Sequence, residues 1–190
     1  MTTLAPAISI RYFPRVASWM RNLILIILGS LFVAVLAQVV IPLPFTPVPI
    51  TVQTFGVLLV GAALGSKRGS ASLALYLAEG AIGLPFFAGG AHGLTVLTGA
   101  TAGYLVGFVG AAYVIGQLAE RGLERSVRTS FIPFLVGTVI IYACGVSWLA
   151  VVLGSFSKAV TLGLVPFIIG DIIKLIAAAL ALPAAWNLSK

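Results

Sequence analysis

The chain has 190 residues, 61% hydrophobic and only 8% charged, with a net charge of +7 and a mean hydropathy of +1.18. Soluble domains carry roughly 25% charged residues, so an ordinary water-soluble fold is excluded. The basic residues lie scattered between apolar runs, which argues against a nucleic-acid surface. The single cysteine, Cys144, and single histidine, His92, exclude a disulfide framework, a Cys-rich metal site and a multi-histidine zinc site.

Charges and Pro/Gly clusters divide the chain into six apolar segments, at about 22–41, 50–65, 69–83, 94–118, 132–153 and 162–187. A full membrane span needs about 20 residues. The first, fourth, fifth and sixth segments qualify; the second and third are short. The expected fold is therefore an all-α, six-helix membrane bundle forming a single transmembrane domain over 1–190, with 1–21 as a cytoplasmic N-terminal segment.

In the first segment the apolar run from Leu23 to Ile41 exceeds the usual core of a cleaved signal peptide, about 7–15 residues. Ser30 and Ala34 form a small-xxx-small pair suited to close approach of another helix. The irregular stretch Pro42-Leu43-Pro44-Phe45-Thr46-Pro47-Val48-Pro49 follows. Irregular backbone at membrane depth is tolerated where it is buried in protein or lines a cavity, so this stretch supplies depth that the second segment lacks. Gln53 opens that segment, as either a ligand contact or a helix–helix hydrogen bond. Glu79, near the end of the third, is either site wall or exposed rim. Leu84-Pro85-Phe86-Phe87-Ala88-Gly89-Gly90-Ala91-His92-Gly93 is a second irregular stretch. It lacks the GxxxxGK[ST] spacing of a phosphate-binding loop, and Gly61 to Lys67 has the wrong spacing. The chain shows no ATP site of its own. Phe87, Tyr142 and the other aromatics are candidates for an apolar pocket, or for bundle packing.

Orientation follows the basic residues at span ends. With the N-terminus inside, Arg11, Arg15, Arg21, Lys67, Arg68, Arg121, Arg125, Arg128 and Lys190 are cytoplasmic, and only Lys158 falls in an outer loop. Both irregular stretches are then on the outer side.

The sixth segment holds Asp171 and Lys174 inside the apolar run Phe167 to Ile176. A charge at a helix centre costs about 2.5–3.5 kcal/mol on insertion scales. At i, i+3 the two share a helix face, and a start near Pro166 places them in the outer half of the membrane. They form either a self-neutralising ion pair or an acceptor and donor offered to a small polar ligand, and the two are compatible.

The phrases Ile41-Pro42-Leu43-Pro44-Phe45-Thr46-Pro47-Val48-Pro49-Ile50-Thr51-Val52-Gln53-Thr54, Gly80-Ala81-Ile82-Gly83-Leu84-Pro85-Phe86-Phe87-Ala88-Gly89-Gly90, Gly103-Tyr104-Leu105-Val106-Gly107-Phe108 and Pro166-Phe167-Ile168-Ile169-Gly170-Asp171-Ile172-Ile173-Lys174 resemble, in order and spacing, the biotin-specific substrate-binding S component (BioY family) of energy-coupling-factor (ECF) transporters. The resemblance implies a six-helix S-component fold in a bacterial plasma membrane, and capture of biotin from outside with no catalytic chemistry and no cofactor. It implies dependence on a transmembrane coupling subunit and separate ATPases. Asp171 and Lys174 become polar ligand contacts; Gln53, Glu79, Phe87, Gly89, Gly90 and Tyr142 complete the candidate substrate-binding set. The family's Ala-x-x-x-Ala docking signature is absent, since Gln38 follows Ala34 by four residues, and Ser30 with Ala34 stands in as the candidate docking pair. The competing readings are a transporter for another small molecule, and an intramembrane enzyme using Asp171 with Glu79 or His92. The latter lacks an evident nucleophile–base pair.

Overall fold

The computed structural model describes residues 2–188. A short helix, α1 (Leu4–Tyr12), leads into α2 (Ser18–Leu36). A two-stranded hairpin follows, β1 (Val40–Ile41) antiparallel to β2 (Ile50–Thr51), with Val40 opposite Thr51. Then come α3 (Gln53–Leu64), α4 (Ser66–Ala81), the short α5 (Leu94–Thr98), α6 (Ala102–Glu120), α7 (Val127–Leu153), the short α8 (Phe156–Gly163) and α9 (Ile168–Leu188). The all-α membrane bundle stands, but six helices is too few. Among the described residues α2, α3, α4, α6, α7 and α9 match the six expected segments, and α1, α5 and α8 are additional.

Two differences have local causes. The fourth segment, expected as one helix from 94, is broken between α5 and α6, where Gly99 is extended and its carbonyl accepts the Trp148 indole N–H at 2.8 Å. The sixth begins later than 162. Pro166 sits in a 3-10 turn, Val165–Phe167, and the α-helix starts only after it. Among the described residues four apolar helical stretches are long enough to cross a bilayer, while α3 has 12 residues. At 1.5 Å per residue α3 is about 18 Å long, against a hydrocarbon core of about 30 Å. The hairpin adjoins its N-terminal end, β2 finishing at Thr51.

Glycines set how closely the helices approach. A Cβ on Gly107 of α6 would meet the Cβ of Cys144 on α7 at 3.1 Å and the Cα of Ile141 at 3.2 Å. Gly65, at φ +83°, alone turns α3 into α4. Glu120 of α6 then caps α4, its Oε1 accepting from Ser66 N at 2.8 Å and Ser66 Oγ at 2.9 Å; a carboxylate at a helix N-terminus also meets the favourable end of the helix dipole. At this same end Arg125 donates to the Thr2 carbonyl at 3.3 Å and lies 4.8 Å from the Trp186 ring. The N-terminus, the α6–α7 turn and the end of α9 therefore share one end of the bundle, as an even number of crossings requires. Lys190 lies outside the described residues. The outward faces are apolar, Val151 and Ile169 being about three-quarters exposed, as expected of a surface solvated by lipid.

Candidate functional site: a polar cluster beneath the outer loops

At the opposite end of the bundle lies a cavity of about 260 Å³. The hairpin loop, the 82–101 segment and α8 gather over it. Thr46 Oγ1 donates to the Leu162 carbonyl at 2.7 Å and accepts from Val48 N at 3.2 Å, strapping the hairpin loop to α8. Gly89 N donates to the Ala37 carbonyl at 3.2 Å, and Gln38 Nε2 to the Pro85 carbonyl at 3.4 Å, which ties the second loop to the end of α2. Val48, Phe87, Leu105, Phe108, Ile141 and Phe167 supply apolar wall.

Three helices bring polar groups to one point on this wall. Asp171 stands in the first turn of α9, where the helix dipole favours a carboxylate. Its Oδ1 accepts from Lys174 Nζ at 2.7 Å and from Thr54 Oγ1 of α3 at 3.4 Å. Its Oδ2 accepts from the Tyr142 hydroxyl of α7. Lys174 Nζ also donates to Thr54 Oγ1, at 3.0 Å. The charged side chains are 13% and 15% exposed. An ammonium carries three donors and a carboxylate about four lone-pair sites. One donor and one acceptor position are left over for a ligand. The pair therefore neutralises itself without using all of its hydrogen-bonding positions, and both sequence alternatives stay open.

Tyr104 lies beside this cluster, edge-on to Tyr142 with ring centroids 6.4 Å apart, and its hydroxyl donates to the Gly163 carbonyl at 2.7 Å. Gly145 and Gly163 leave the space its ring occupies. Gln53 also lines the cavity, and its amide donates to Tyr76 Oη at 2.7 Å. Phe87 is 1% exposed and meets the Tyr76 ring edge-on at 5.6 Å.

Other expected site residues lie elsewhere. Glu79 is not part of the cavity wall; its Oε2 accepts from Ser30 Oγ of α2, so its burial is satisfied by a helix contact. Gly89 and Gly90 shape the loop through positive φ, but their neighbours Ala88 and Ala91 form the wall. His92 is exposed, with Nδ1 3.3 Å from the Gly90 carbonyl. Ser30 and Ala34, the expected docking pair, lie in the interior of the bundle. They are 0% and 4% exposed, buried by this chain's own helices, so the close approach they permit is intramolecular.

Tyr104 was among the aromatics expected at a pocket, whereas Thr51, Thr54 and Thr101 were not singled out from the sequence, although all four line the cavity. Threonine in an apolar helix usually satisfies its own hydroxyl on the preceding turn, so its identity carries little signal. The cluster Thr51-Val52-Gln53-Thr54, polar at the start of an apolar helix, was the available hint.

The BioY family model matches residues 6–190. A biotin transporter BioY of Rhizobium etli is 40% identical over 167 residues, covering 82% of this chain and 89% of that protein. One of Thermotoga maritima is 44% identical over 140 residues, covering 74% and 82%. Among solved structures, the S component for biotin from an ECF-type ABC transporter superposes with a TM-score of 0.76 at 27% identity, over 89% of this chain and 92% of that one.

Proposed function

This chain belongs to the BioY family, and from that premise we propose that it is the biotin-binding S component of an ECF-type transporter, taking up biotin across the cell membrane. It spans that membrane several times, acts as a transporter subunit rather than an enzyme, and handles biotin as cargo rather than cofactor. A coupling subunit and ATPases complete the transporter.

The observation that carries the site is the Asp171–Lys174 pair, held by Thr54 and Tyr142 at the wall of a mostly apolar cavity. Biotin's ureido group offers two N–H donors and a carbonyl acceptor, which a carboxylate and an ammonium complement. Its fused sulfur ring is apolar and suits Phe87, Phe108 and Phe167. Its carboxylate extends toward the loops. Small-molecule pockets commonly combine apolar walls with a few placed polar groups and run from about 300 Å³ upward, so a cavity of about 260 Å³ suits a compact ligand. Opening the strap between Thr46 and Leu162 admits the ligand; release inward follows reorientation of the bundle against its coupling partner.

Purified protein in detergent binds biotin without nucleotide or metal, and Asp171→Asn or Lys174→Met weakens binding by on the order of a hundredfold, since each leaves a partner unpaired. Isothermal titration measures this directly. A folded wild-type protein that ignores biotin refutes the reading.

A further inference from the structure

Behind the cavity wall a hydrogen-bond chain runs in one direction only. Gln53 opens α3 and is 4% exposed, and its Nε2 lies 2.7 Å from Tyr76 Oη. Tyr76 is wholly buried in α4 and does not line the cavity; its hydroxyl lies 3.1 Å from the Phe86 carbonyl oxygen. A carbonyl only accepts, so the one hydroxyl proton of Tyr76 is committed to Phe86. The Tyr76 oxygen must then accept from Gln53, and only the nitrogen end of the Gln53 amide can donate. An amide without such an anchor can present either end, because its two ends are nearly identical in shape. Here Oε1 is the end left for the cavity.

We propose that Tyr76 is a positioning residue for substrate recognition: without touching the cavity, it makes Gln53 a hydrogen-bond acceptor for a ligand N–H. This rests on the reading of the cavity as a biotin site. The count of acceptors shows why the site needs it. Asp171 already accepts from Lys174, Thr54 and Tyr142, which leaves about one of its four lone-pair sites. A ureido group has two N–H donors. Asp171 takes one, and Gln53 Oε1 takes the other. The Tyr76 ring is also packed edge-on against Phe87, so the same side chain fixes an apolar wall residue and the polarity of its neighbour.

The test is a biotin titration of wild type, Tyr76→Phe, Gln53→Ala and the double variant, repeated with biotin methylated at either ureido nitrogen. Tyr76→Phe keeps the ring against Phe87 and weakens biotin binding about tenfold, the loss of one buried hydrogen bond. In the Gln53→Ala background it causes no further loss. Gln53→Glu, an acceptor at both ends, restores affinity to Tyr76→Phe. One N-methyl isomer loses affinity for wild type but much less for Tyr76→Phe. Undiminished binding by Tyr76→Phe overturns the assignment, and so does an equal loss in the presence and absence of Gln53, which marks a purely structural role. Wild-type protein that binds no biotin instead overturns the reading of the cavity.

Discussion

The two ends of the bundle bury carboxylates in opposite ways. At the inner end Glu120 spends its side chain on the chain itself, capping α4 through Ser66, and Gly65 and Gly116 let backbones meet with no space between them. At the outer end Asp171 is equally well held, by Lys174, Thr54 and Tyr142, but it faces a cavity and keeps unused capacity. Burial of a charge therefore does not by itself mark a ligand site in a membrane protein. A charge marks one when its partners leave hydrogen-bonding capacity directed into open space.

This contrast predicts that inner substitutions change stability and outer ones change affinity. The largest effect is expected at Gly116, where a Cβ would collide with the backbone of Gly65 and Ser66. Gly116→Leu should cost about 3 kcal/mol or more through overpacking, read as a lowered melting temperature in detergent, while the folded fraction binds biotin normally. A changed affinity in that fraction would break the contrast.

Phe87→Ala comes next. It removes a ring that lines the cavity and packs on Tyr76, and biotin affinity should fall at least about tenfold, as expected for losing an aromatic contact of roughly 1.5 kcal/mol or more. Titration and melting are read together, because the ring is buried and its loss also lowers the stability of the ligand-free protein. Thr46→Val removes the strap to Leu162. A single hydrogen bond is worth about 1 kcal/mol, so stopped-flow measurements should show biotin leaving several-fold faster with little change in melting.

The smallest effect sharpens the inner end. Glu124, in the turn between α6 and α7, is wholly buried, and burial pushes its carboxyl above the ordinary 4.5, with Arg125 and Trp186 only partly opposing this. The folded state then holds this proton at pH values where the unfolded chain has released it. Stability associated with the group is present below pH 4.5 and declines as pH rises through the higher folded value. Glu124→Gln should flatten the dependence of melting temperature on pH above 4.5 and raise stability at the alkaline side, without altering biotin affinity.

Part of this contrast was legible in the chain. Hydropathy located the long helices because lipid solvation demands uninterrupted apolar residues. The Asp171–Lys174 pair stood out because charges are costly in that setting, and the Pro/Gly stretches announced irregular backbone. Glu79 carried the same signal as Asp171, yet it pairs with Ser30 away from the cavity. Its cost is visible in sequence, but the identity of its partner is not. Ser30 and Ala34 likewise advertised a close helix approach without saying that the approaching helix belongs to the same chain. The break between α5 and α6 depends on Trp148, 49 residues away from Gly99, and no local pattern encodes it.

The sequence by itself determined the class of molecule, the long spans and the family, because these follow from local hydropathy and ordered short phrases. The tertiary structure decided which polar residues share a cavity, which satisfy one another, and which end of the Gln53 amide is committed to Tyr76. Those outcomes depend on contacts between residues such as Thr54 and Lys174, 120 positions apart, whose meeting is set by helix packing rather than by anything in their own neighbourhoods.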